Sequence, residues 1–378
     1  MEKVFVRALK LDSFRNYRSL DLELDQRHVV LTGDNGAGKT NLLEALSLMS
    51  PGRGLRRAVY AEVAHHGRPE GFSVFASVEG MAGPVDIGTA AGGEPEPGTR
   101  RLRINAAPAR SSEDLLDHLK VIWLTPSMDG LFTGPAGDRR RFLDRMVLSV
   151  DALHARRCSD YERAMRGRNR LLSEGRSDPS WLDAIEQQMA ELGVAMALAR
   201  RDFVALMQGV IARSQGEASL FPRADLSLQG FADEPNLPAA TDLETALIEA
   251  LRDHRRRDQA AGRTLDGPHR SDLLIRHREK DMPAEFCSTG EQKALLTGLV
   301  LAHARLVGEM TGYAPLLLLD EIAAHLDAGR RAALFDLIDD LGGQAFMTGT
   351  DDHLFSALGD RALMLKVQAG SVLRAIRQ

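Results

Sequence analysis

"GDNGAGKT", residues 33–40, stands between a run of apolar residues and a segment with helical spacing. The run before it, "HVVLT", closes an alternating stretch typical of strands, and Leu42, Leu43, Ala45 and Leu46 after it recur at helical positions. The stretch matches the pattern GxxxxGK[ST], and a strand, a glycine-rich loop and a helix are the context that a phosphate-binding loop requires. The sequence therefore predicts an α/β fold with a nucleotide site at this loop.

The residue types of the loop suit the chemistry of phosphate. Its glycines let backbone N–H groups approach phosphate oxygens, Lys39 reaches the β and γ phosphates as a catalytic cation, and Thr40 offers its hydroxyl oxygen to Mg²⁺. The following helix turns its positive end towards the anion. We predict ATP and Mg²⁺ as cofactors. The predicted nucleotide contacts of the loop are Gly33, Asn35, Gly36, Ala37, Gly38, Lys39, Thr40 and Asn41.

The stretch "LLLLDE", residues 316–321, supplies carboxylates for such a site. Four successive leucines predict a strand buried on both faces, and Asp320 follows at its carboxyl end, where ligands bind in parallel sheets. We predict that Thr40 binds Mg²⁺ with its hydroxyl oxygen, that Asp320 holds the ion through water, and that Glu321 orients and deprotonates the attacking water. An apolar run before Asp-Glu is also typical of a strand that ends at a helix-capping acid. The phosphate-binding loop favours the metal site.

A third stretch, "STGEQ" at residues 288–292, begins a helix a short way before that strand. Free N–H groups, the Ser288 hydroxyl and close backbone approach at Gly290 would form a second anion-binding surface. The alternative is that Ser288 or Thr289 only caps the helix. The order of loop, long insertion, Ser-x-Gly-x-Gln and Asp-Glu strand resembles ABC-type ATPases, in which this signature segment covers the γ-phosphate held by a partner subunit. The resemblance implies an ATP-dependent homodimer with nucleotide contacts from Ser288, Gly290 and Gln292.

The apolar periodicity changes along the chain and marks an insertion. Residues 1–121 and 262–378 carry strands and helices, and short alternating runs around the glycine- and proline-rich "AAGGEPEPGT" predict an antiparallel sheet with one exposed hairpin. Residues 122–261 are charged and helical. We predict an α/β fold: an ABC-type ATPase head, with a mixed sheet, helices and an antiparallel subdomain, built from both chain ends around an inserted α-helical lobe.

The insertion itself predicts long helices. Apolar residues from Leu182 to Val210 recur in steps of three and four, the seam of a coiled-coil-like hairpin. A further helix is predicted to open with a capping box, because Thr241 stands three residues before Glu244.

Length and composition favour a soluble protein of two domains. The chain has 378 residues, 44% of them hydrophobic and 27% charged, which is ordinary for globular proteins. Cys158 and Cys287 lack the CxxC spacing of zinc sites and fit a reducing cytosol. The first residues lack the apolar core of a signal peptide, and no run nears the roughly 18 apolar residues of a membrane span. We therefore expect a cytoplasmic protein without a membrane partner.

Basic residues are clustered although the net charge is −5. A local basic face acts within a Debye length of about 10 Å, so clusters matter more than the sum. The arginine-rich clusters are "DRRRFLDR" (138–145), "HARR" (154–157), "RAMRGRNR" (163–170) and "RDHRRRD" (252–258). Each taken singly is typical of a solvated helix face. Arginine runs without interleaved aromatic residues favour contacts with DNA phosphates over base readout.

Six blocks of the sequence together resemble the RecF family of bacterial recombination-mediator ATPases. The blocks are "SFRNYRSLDLEL", "GDNGAGKTNLLEALSLMSPGRGLR", "VIWLTPSMDGLFTGPAGDRRRFLDR", "DGPHRSDL", "STGEQKALL" and "LLLLDEIAAHLD". They run from residue 13 to 327 in the family's order. Other ABC-type ATPases share the loop and the carboxylates but lack "RRRFLD" and "GPHRSDL", which makes the resemblance specific.

The resemblance implies an ATP-dependent dimer on double-stranded and gapped DNA, with slow, DNA-stimulated ATP hydrolysis that resets it. It also implies cooperation with RecR and RecO to load the RecA recombinase at gapped or stalled replication sites. Arg15 and Asn16 would lie near the nucleotide, and Asp327 at the dimer seam beside the opposite phosphate. His269 and Arg270 are further candidates for contact with nucleotide or DNA. A solvent-facing hairpin at Arg15 and Asn16, and a capping histidine in a Gly-Pro loop, are the alternatives.

The sequence departs from the ABC pattern at two positions. No glutamine occurs between Thr40 and Gln187, so the usual glutamine that completes the metal shell has no match. At the position of the switch histidine, Thr348 and Thr350 are better placed than His353, and weak turnover would suit both departures. An SMC-type chromosome-organising ATPase would need much longer arms and usually a hinge or zinc hook. A transporter ATPase subunit would have its loop and signature closer together.

Overall fold

The computed structural model describes residues 3–68, 70–92, 99–175, 179–213, 221–234, 238–324 and 326–374. The strands are β1 (Phe5–Phe14), β2 (Tyr17–Glu23), β3 (His28–Thr32), β4 (Gly71–Gly80), β5 (Gly83–Gly92), β6 (Arg100–Ile104), β7 (Ala107–Pro108), β8 (Val121–Leu124), β9 (Ala224–Gln229), β10 (Asp272–His277), β11 (Met282–Pro283), β12 (Leu316–Leu319), β13 (Ala345–Gly349), β14 (Ala362–Gln368) and β15 (Ser371–Arg374). The helices are α1 (Lys39–Ser47), α2 (Ala136–Leu148), α3 (His154–Glu174), α4 (Pro179–Arg213), α5 (Ala240–Asp253), α6 (Arg255–Ala261), α7 (Thr289–Thr311) and α8 (Ala328–Asp340).

The chain separates into two compact units. The first comprises the residues up to Asp129 and those from Leu296 on, and the second comprises Gly130–Leu295. Both borders differ from the predicted ones at 121/122 and 261/262. The first lies later because β8 pairs with β12 and so belongs to the first unit. The second lies later because β10 pairs with β9, which ties residues 272–277 to the inserted unit. No helix among the described residues combines the length and the apolar content needed to cross a bilayer.

The first unit contains two six-stranded sheets. One is antiparallel with the order β2-β1-β4-β5-β6-β7, and the other has the order β15-β14-β3-β13-β12-β8. In the second sheet β14, β3, β13, β12 and β8 run parallel, whereas β15 runs antiparallel to β14. This mixed sheet and antiparallel subdomain confirm the predicted fold class. The predicted exposed hairpin at "AAGGEPEPGT" lies in part outside the described residues.

The core of the first unit joins the two sheets through helix α1. Phe14 of β1, Leu42 and Leu43 of α1, and Leu318 and Phe346 of the mixed sheet all belong to one buried cluster. Strand β13 lies between β3 and β12, so the carboxyl ends of these three parallel strands are neighbours. The phosphate-binding loop and the Asp-Glu pair therefore emerge at one edge of the sheet.

The second unit combines helices with the three-stranded sheet β11-β10-β9. The predicted apolar seam of α4 is confirmed at every seventh residue, where the side chains are at most 7% exposed. They are Leu182, Met189, Met196, Phe203 and Val210. The intervening position Leu206 is 43% exposed, so only part of the seam is covered. The predicted capping box is wrong, because α5 already begins at Ala240 and Thr241 lies inside the helix.

Candidate nucleotide-binding site

Three glycines shape the loop that follows β3. Gly33, Gly36 and Gly38 have φ angles of 137°, 81° and 117°, which residues with a side chain rarely adopt. Helix α1 begins at Lys39, and Gly38 precedes it without a side-chain cap. The first N–H groups of a helix have no intrahelical acceptor, so the start of α1 offers donors and the positive helix end to an anion. The local structure is thus the strand, loop and helix that the motif predicts.

The turn between β1 and β2 supports this loop from the side. Asn16 Nδ2 donates a 2.9 Å hydrogen bond to the Ala37 carbonyl, and Asn41 Nδ2 donates one of 2.7 Å to Asn16 Oδ1. The Tyr17 hydroxyl donates to the Gly38 carbonyl at 3.1 Å. A Cβ atom on Gly38 would lie 2.5 Å from Asn16 Nδ2, so the turn packs against the loop too closely for alanine. Asn16 therefore contacts the loop backbone and does not lie on a solvent-facing hairpin.

The Lys39 side chain lies within the loop. Its ammonium group donates to the carbonyl oxygens of Gly33 at 2.5 Å and Asp34 at 2.9 Å, and the residue is buried. Burial lowers the pKa of Lys39, although the nearby carboxylates of Glu321, Asp320 and Asp34 oppose that shift. A buried ammonium beside a helix start is suited to bind an anionic ligand.

Asp320 is held between two threonines at the edge of the mixed sheet. All four residues of β12 are buried, and the Asp320 N–H continues the strand ladder by donating to the Leu124 carbonyl at 2.8 Å. Thr40 Oγ1 lies 3.1 Å and 3.0 Å from the two carboxylate oxygens. From the other side, Thr348 Oγ1 donates to Asp320 Oδ1 at 2.7 Å. The structure thus brings together Thr40 and Asp320, the two predicted metal ligands.

The donor set around Asp320 fits a hard divalent cation. A hydroxyl oxygen and a carboxylate within hydrogen-bond distance of each other are oxygen ligands of the kind Mg²⁺ prefers, and Mg²⁺ usually takes its remaining ligands from water and substrate phosphates. Thr40 and Asp320 would hold the ion. Glu321, the next residue, is exposed and has a φ angle of 54°, which is uncommon for a residue other than glycine.

The side chain of Arg15 packs against helix α1. Its guanidinium pairs with Glu44, a buried acidic residue of α1, and donates to the Glu62 carbonyl at 2.8 Å. Arg56 also donates to Glu44. Nucleotide contact by Arg15 stays a prediction, and bracing of α1 is the role that the contacts describe.

The signature segment lies in the second unit and begins α7 with a real capping box. Ser288 Oγ and the Ser288 N–H both donate to Glu291 Oε2, at 2.9 Å and 3.0 Å, and the Glu291 N–H lies 3.4 Å from Ser288 Oγ. Ser288 and Gly290 are exposed, whereas Gln292 is buried and donates to the carbonyls of Ala284 and Glu285. Ser288 is therefore a helix cap in this structure. The nucleotide contacts of Ser288, Gly290 and Gln292 stay predictions.

Asp327 also caps a helix. Its Oδ1 accepts a 2.9 Å hydrogen bond from the Arg330 N–H at the start of α8, and its side chain is exposed. Because its carboxylate is exposed, Asp327 can still contact a partner subunit, and its place at a dimer seam stays a prediction. Of the "AHLD" stretch, His325 lies outside the described residues.

The histidine of the Gly-Pro turn in the second unit is half-buried and hydrogen-bonded. His269 Nδ1 lies 2.9 Å from the Tyr161 hydroxyl, and His269 Nε2 lies 3.0 Å from the Thr264 carbonyl oxygen. Burial lowers the pKa of His269 in spite of the Thr264 contact. His269 is thus engaged within the turn, as the capping alternative requires, while Arg270 is exposed and stays a candidate contact.

The predicted basic clusters differ in how their side chains are used. Arg139 pairs with Asp272 at 2.6 Å, and Arg168 is completely buried. On α3, by contrast, one set of arginine side chains is at least 67% exposed, with only exposed or half-buried acids as partners. The set comprises Arg156, Arg163, Arg166 and Arg170. The clusters therefore contain both core and surface cations.

Asp144, His154 and Cys158 bring three possible metal-ligand atoms within 4.8 Å of one another. His154 Nε2 lies 2.8 Å from Asp144 Oδ1, and Arg200 donates to both oxygens of the same carboxylate at 2.8 Å and 2.9 Å. Burial, with the Asp144 charge, raises the pKa of the Cys158 thiol to about 12. The Arg200 guanidinium already balances Asp144, and the group forms a buried polar brace.

Sequence reasoning missed Tyr17, Glu44 and Arg56 as parts of the site's support. For Glu44 a signal was present, because a carboxylate stands within the apolar face of α1 and a buried charge needs a partner. Its partners could not be read from the sequence, since Arg15 and Arg56 lie in two other segments.

Comparison with known proteins places the chain in a described family. A family model described as "RecF/RecN/SMC N terminal domain" matches residues 5–372. The chain is 65% identical over 370 residues to "DNA replication and repair protein RecF" of Rhizobium meliloti (strain 1021), covering 98% of this chain and 99% of the relative. It is 64% identical over 371 residues to the protein of the same name of Agrobacterium fabrum, covering 98% of each.

Solved structures show the same fold. A structure of "the recombination mediator protein RecF-ATPrS in RecFOR pathway" superposes with a TM-score of 0.87 at 22% identity, covering 99% of both chains. The Smc head domain of Pyrococcus furiosus, with an extended coiled coil and bound to the C-terminal domain of ScpA, gives a TM-score of 0.54 at 16% identity, covering 98% of this chain and 96% of that one. At these identities the likeness concerns the fold alone.

Proposed function

This chain belongs to the RecF/RecN/SMC N-terminal domain family and, within it, to the RecF proteins, and from that premise we propose that it is an ATP-driven switch in DNA replication and repair. The observation that carries the proposal is the convergence of Lys39, Thr40 and Asp320 at one edge of the mixed sheet. We further propose that the first unit is the ATPase head and the second the inserted lobe.

In this proposal the loop residues bind the phosphates of ATP. N–H groups at the start of α1 would donate to phosphate oxygens, and Lys39 would exchange its carbonyl partners Gly33 and Asp34 for the β and γ phosphates. That exchange is favourable because hydrogen bonds between an ammonium and charged oxygens are stronger than those to carbonyls. Gly33, Asn35, Gly36, Ala37, Gly38 and Asn41 complete the proposed contacts.

Glu321 is the proposed general base for hydrolysis. Its carboxylate follows the metal-binding Asp320 directly and is exposed, so a water molecule can reach it. Mg²⁺, when held by Thr40 and Asp320, would neutralise the charge that develops on the phosphates. Slow turnover, stimulated by DNA, would then reset the switch. The missing glutamine after Thr40 supports a slow rate.

The ATP-bound state is proposed to be a homodimer. Ser288 and Gly290 are exposed at the start of α7, which leaves this helix end accessible to a nucleotide held by a second copy. Asp327 would lie at the same seam. The exposed start of α7 supports the proposal, and family membership supplies the expectation that the site is completed in trans.

The proposed partners are double-stranded and gapped DNA, contacted through phosphates, with RecR as the protein partner and RecO and RecA acting indirectly. In this role the chain would help to load RecA at gapped or stalled replication sites in the cytoplasm. The names of the relatives support replication and repair, and that of the solved structure refers to the RecFOR pathway. The exposed arginines of α3 support phosphate contact.

Mass in solution tests the proposal. We expect a Glu321→Gln variant to dimerise with ATP and stay monomeric without it, because ATP closes the dimer and hydrolysis is blocked. Adding Ser288→Arg should abolish the dimer. Ser288→Ala removes the hydroxyl without adding bulk, so it should weaken the dimer less than Ser288→Arg does. A monomer with both ATP and DNA present would mean that the signature segment is only a capped helix.

A further inference from the structure

Thr348 occupies the strand between the two halves of the nucleotide site. It lies near the end of β13, where its backbone pairs with Leu31 of β3, and the preceding Met347 pairs with Leu319 of β12. The phosphate-binding loop follows β3 and Asp320 follows β12. Thr348 is fully buried, so its hydroxyl has no access to solvent and must find its partners inside the protein.

The Thr348 hydroxyl makes one hydrogen bond to each member of the Asp-Glu pair. It donates to Asp320 Oδ1 at 2.7 Å and accepts from the Glu321 N–H at 2.9 Å. A single side-chain oxygen therefore fixes the carboxylate of one residue and the backbone of the next.

We infer that Thr348 is the positioning residue of the metal and water-activating carboxylates, a role that rests on the proposed function. Thr348 holds Asp320 Oδ1, which keeps the carboxylate oriented when Thr40 turns its hydroxyl from Asp320 towards a metal ion. Oδ2, which accepts only from Thr40 among the described contacts, is then the oxygen presented to the ion.

The second hydrogen bond concerns the conformation of Glu321. Its φ angle of 54° lies in the left-handed region, which is unfavourable for a residue with a Cβ. Such a conformation persists only where the surroundings fix it. The hydrogen bond from the Glu321 N–H to Thr348 supplies one such constraint on the turn after β12, from which the Glu321 side chain projects.

The neighbouring strand provides a matched control. Thr32 ends β3 and pairs with Gly349, the residue after Thr348. Like Thr348 it is buried, but its Oγ1 has no hydrogen-bond partner within the part of the chain that the structure describes. Replacement by valine makes the same chemical change at both positions, and only at Thr348 does it remove hydrogen bonds.

The test measures metal affinity without turnover. Full-length protein binds a fluorescent ADP analogue while Mg²⁺ is titrated, and the midpoint of the Mg²⁺ response is compared among the wild type, Thr348→Val, Thr348→Ser and Thr32→Val. We expect Thr348→Val to raise the midpoint roughly tenfold, the factor that loss of about 1.4 kcal/mol produces. Thr348→Ser keeps the hydroxyl and should stay within about twofold to threefold of the wild type, as should Thr32→Val. Affinity for the analogue without metal should not change.

Two results would overturn the inference: an unchanged midpoint in Thr348→Val, or equal impairment in Thr348→Ser, which would assign the effect to packing. If Thr348→Val does not fold, Thr348→Ala removes the hydroxyl without any clash and is judged by the same shift. If the wild type binds the analogue without any response to Mg²⁺, the proposed Mg²⁺-dependent ATPase function is contradicted, and the positioning role of Thr348 with it.

Discussion

Arg15 and Glu44, which are 29 residues apart in the sequence, form a bidentate ion pair. Arg15 Nε lies 2.9 Å from Glu44 Oε2, and Arg15 Nη2 lies 2.5 Å from Glu44 Oε1. Glu44 is 1% exposed, and Arg56 adds a third contact at 2.8 Å. Since Glu44 belongs to α1, the pair braces the helix that begins at the phosphate-binding loop from the turn between β1 and β2.

Arg15→Ala should therefore act on folding. We expect the free energy of unfolding to fall by about 2–3 kcal/mol, because a buried carboxylate loses its main partner and keeps only Arg56. Urea denaturation measures this change. The exposed Arg18, three residues on, is the control, and Arg18→Ala should stay within about 0.5 kcal/mol. Unchanged stability of Arg15→Ala together with weaker ATP binding would instead make Arg15 the nucleotide contact that the family resemblance implies.

Gly33→Ala and Gly36→Ala should distinguish the cost of a steric clash from the cost of a positive φ angle within the loop. A Cβ atom on Gly33 would lie 2.2 Å from the Val367 carbonyl oxygen, whereas one on Gly36 would meet nothing within 4 Å. Both residues have positive φ. We expect Gly33→Ala to lower the free energy of unfolding by about 2–4 kcal/mol and Gly36→Ala by about 1 kcal/mol. Thermal or urea denaturation of the two variants decides, and equal losses would contradict the packing of the loop against β14.

The parts of the site that the sequence could predict are those made by neighbouring residues. The loop from Gly33 to Thr40 carries its own strand and helix signals, and the four leucines before Asp320 announce a buried strand. Parallel strands then bring these two segments to one edge of the sheet. The fold class followed from the same local patterns.

The parts that could not be predicted depend on pairs distant in sequence. Arg168 looks like a surface cation beside Arg166 and Arg170, and its burial depends on acids that folding brings to it. Capping shows the same limit. The pattern Thr241 to Glu244 satisfied the rule for a capping box but lies inside α5. Ser288, by contrast, follows the extended residue Cys287 directly before α7 and forms a real box with Glu291.

Arg168→Ala and Arg170→Ala should differ sharply although the two residues belong to one basic cluster. Arg168 is fully buried and pairs with Glu186 at 2.9 Å and Asp258 at 2.7 Å, both also buried. Its loss leaves two buried carboxylates short of a cation, and we expect a decrease in the free energy of unfolding of about 3–5 kcal/mol. Arg170 is 80% exposed, so Arg170→Ala should change it by less than about 0.5 kcal/mol. Similar values in urea denaturation would argue against the buried network.

The carboxyl group of Glu291 should stay ionised in mildly acidic solution. A hydrogen bond from Lys280, and then those from the Ser288 N–H and hydroxyl, lower the pKa of Glu291 to about 2, against an ordinary value of 4.5. Because the folded pKa lies below the unfolded one, the stabilisation is fully present above about pH 4.5 and is lost as the pH falls towards 2. An NMR titration should show Glu291 ionised at pH 3.5, where ordinary glutamates are largely protonated. Lys280→Ala should raise this pKa. A wild-type Glu291 that titrates at its ordinary pKa would contradict the capping box.

The exposed arginines of α3 should account for part of the salt dependence of DNA binding. Combined replacement of Arg163, Arg166 and Arg170 by alanine should make the slope of log affinity against log salt less negative by roughly 2 to 3, since each phosphate contact contributes about 0.9. Stability should hardly change, because these side chains are at least 67% exposed. Fluorescence anisotropy with a duplex at several salt concentrations gives the slope. A slope equal to that of the wild type would show that DNA contacts a surface other than these arginines.

Replacing the acidic neighbours on α3 tests the same DNA contact by a change that should increase the affinity for DNA. Arg163 lies 3.0 Å from Asp160, and Arg166 lies 3.6 Å from Glu162, so phosphates must compete with these carboxylates for the guanidinium groups. Asp160→Asn with Glu162→Gln removes the competitors and should tighten DNA binding at low salt, by about twofold to tenfold, since exposed ion pairs contribute about 0.2–1 kcal/mol each. If the arginine and acid variants both weaken binding, α3 supports the fold of the second unit and does not contact DNA. If the acid variants bind more tightly and the arginine variants more weakly, α3 itself faces the phosphates.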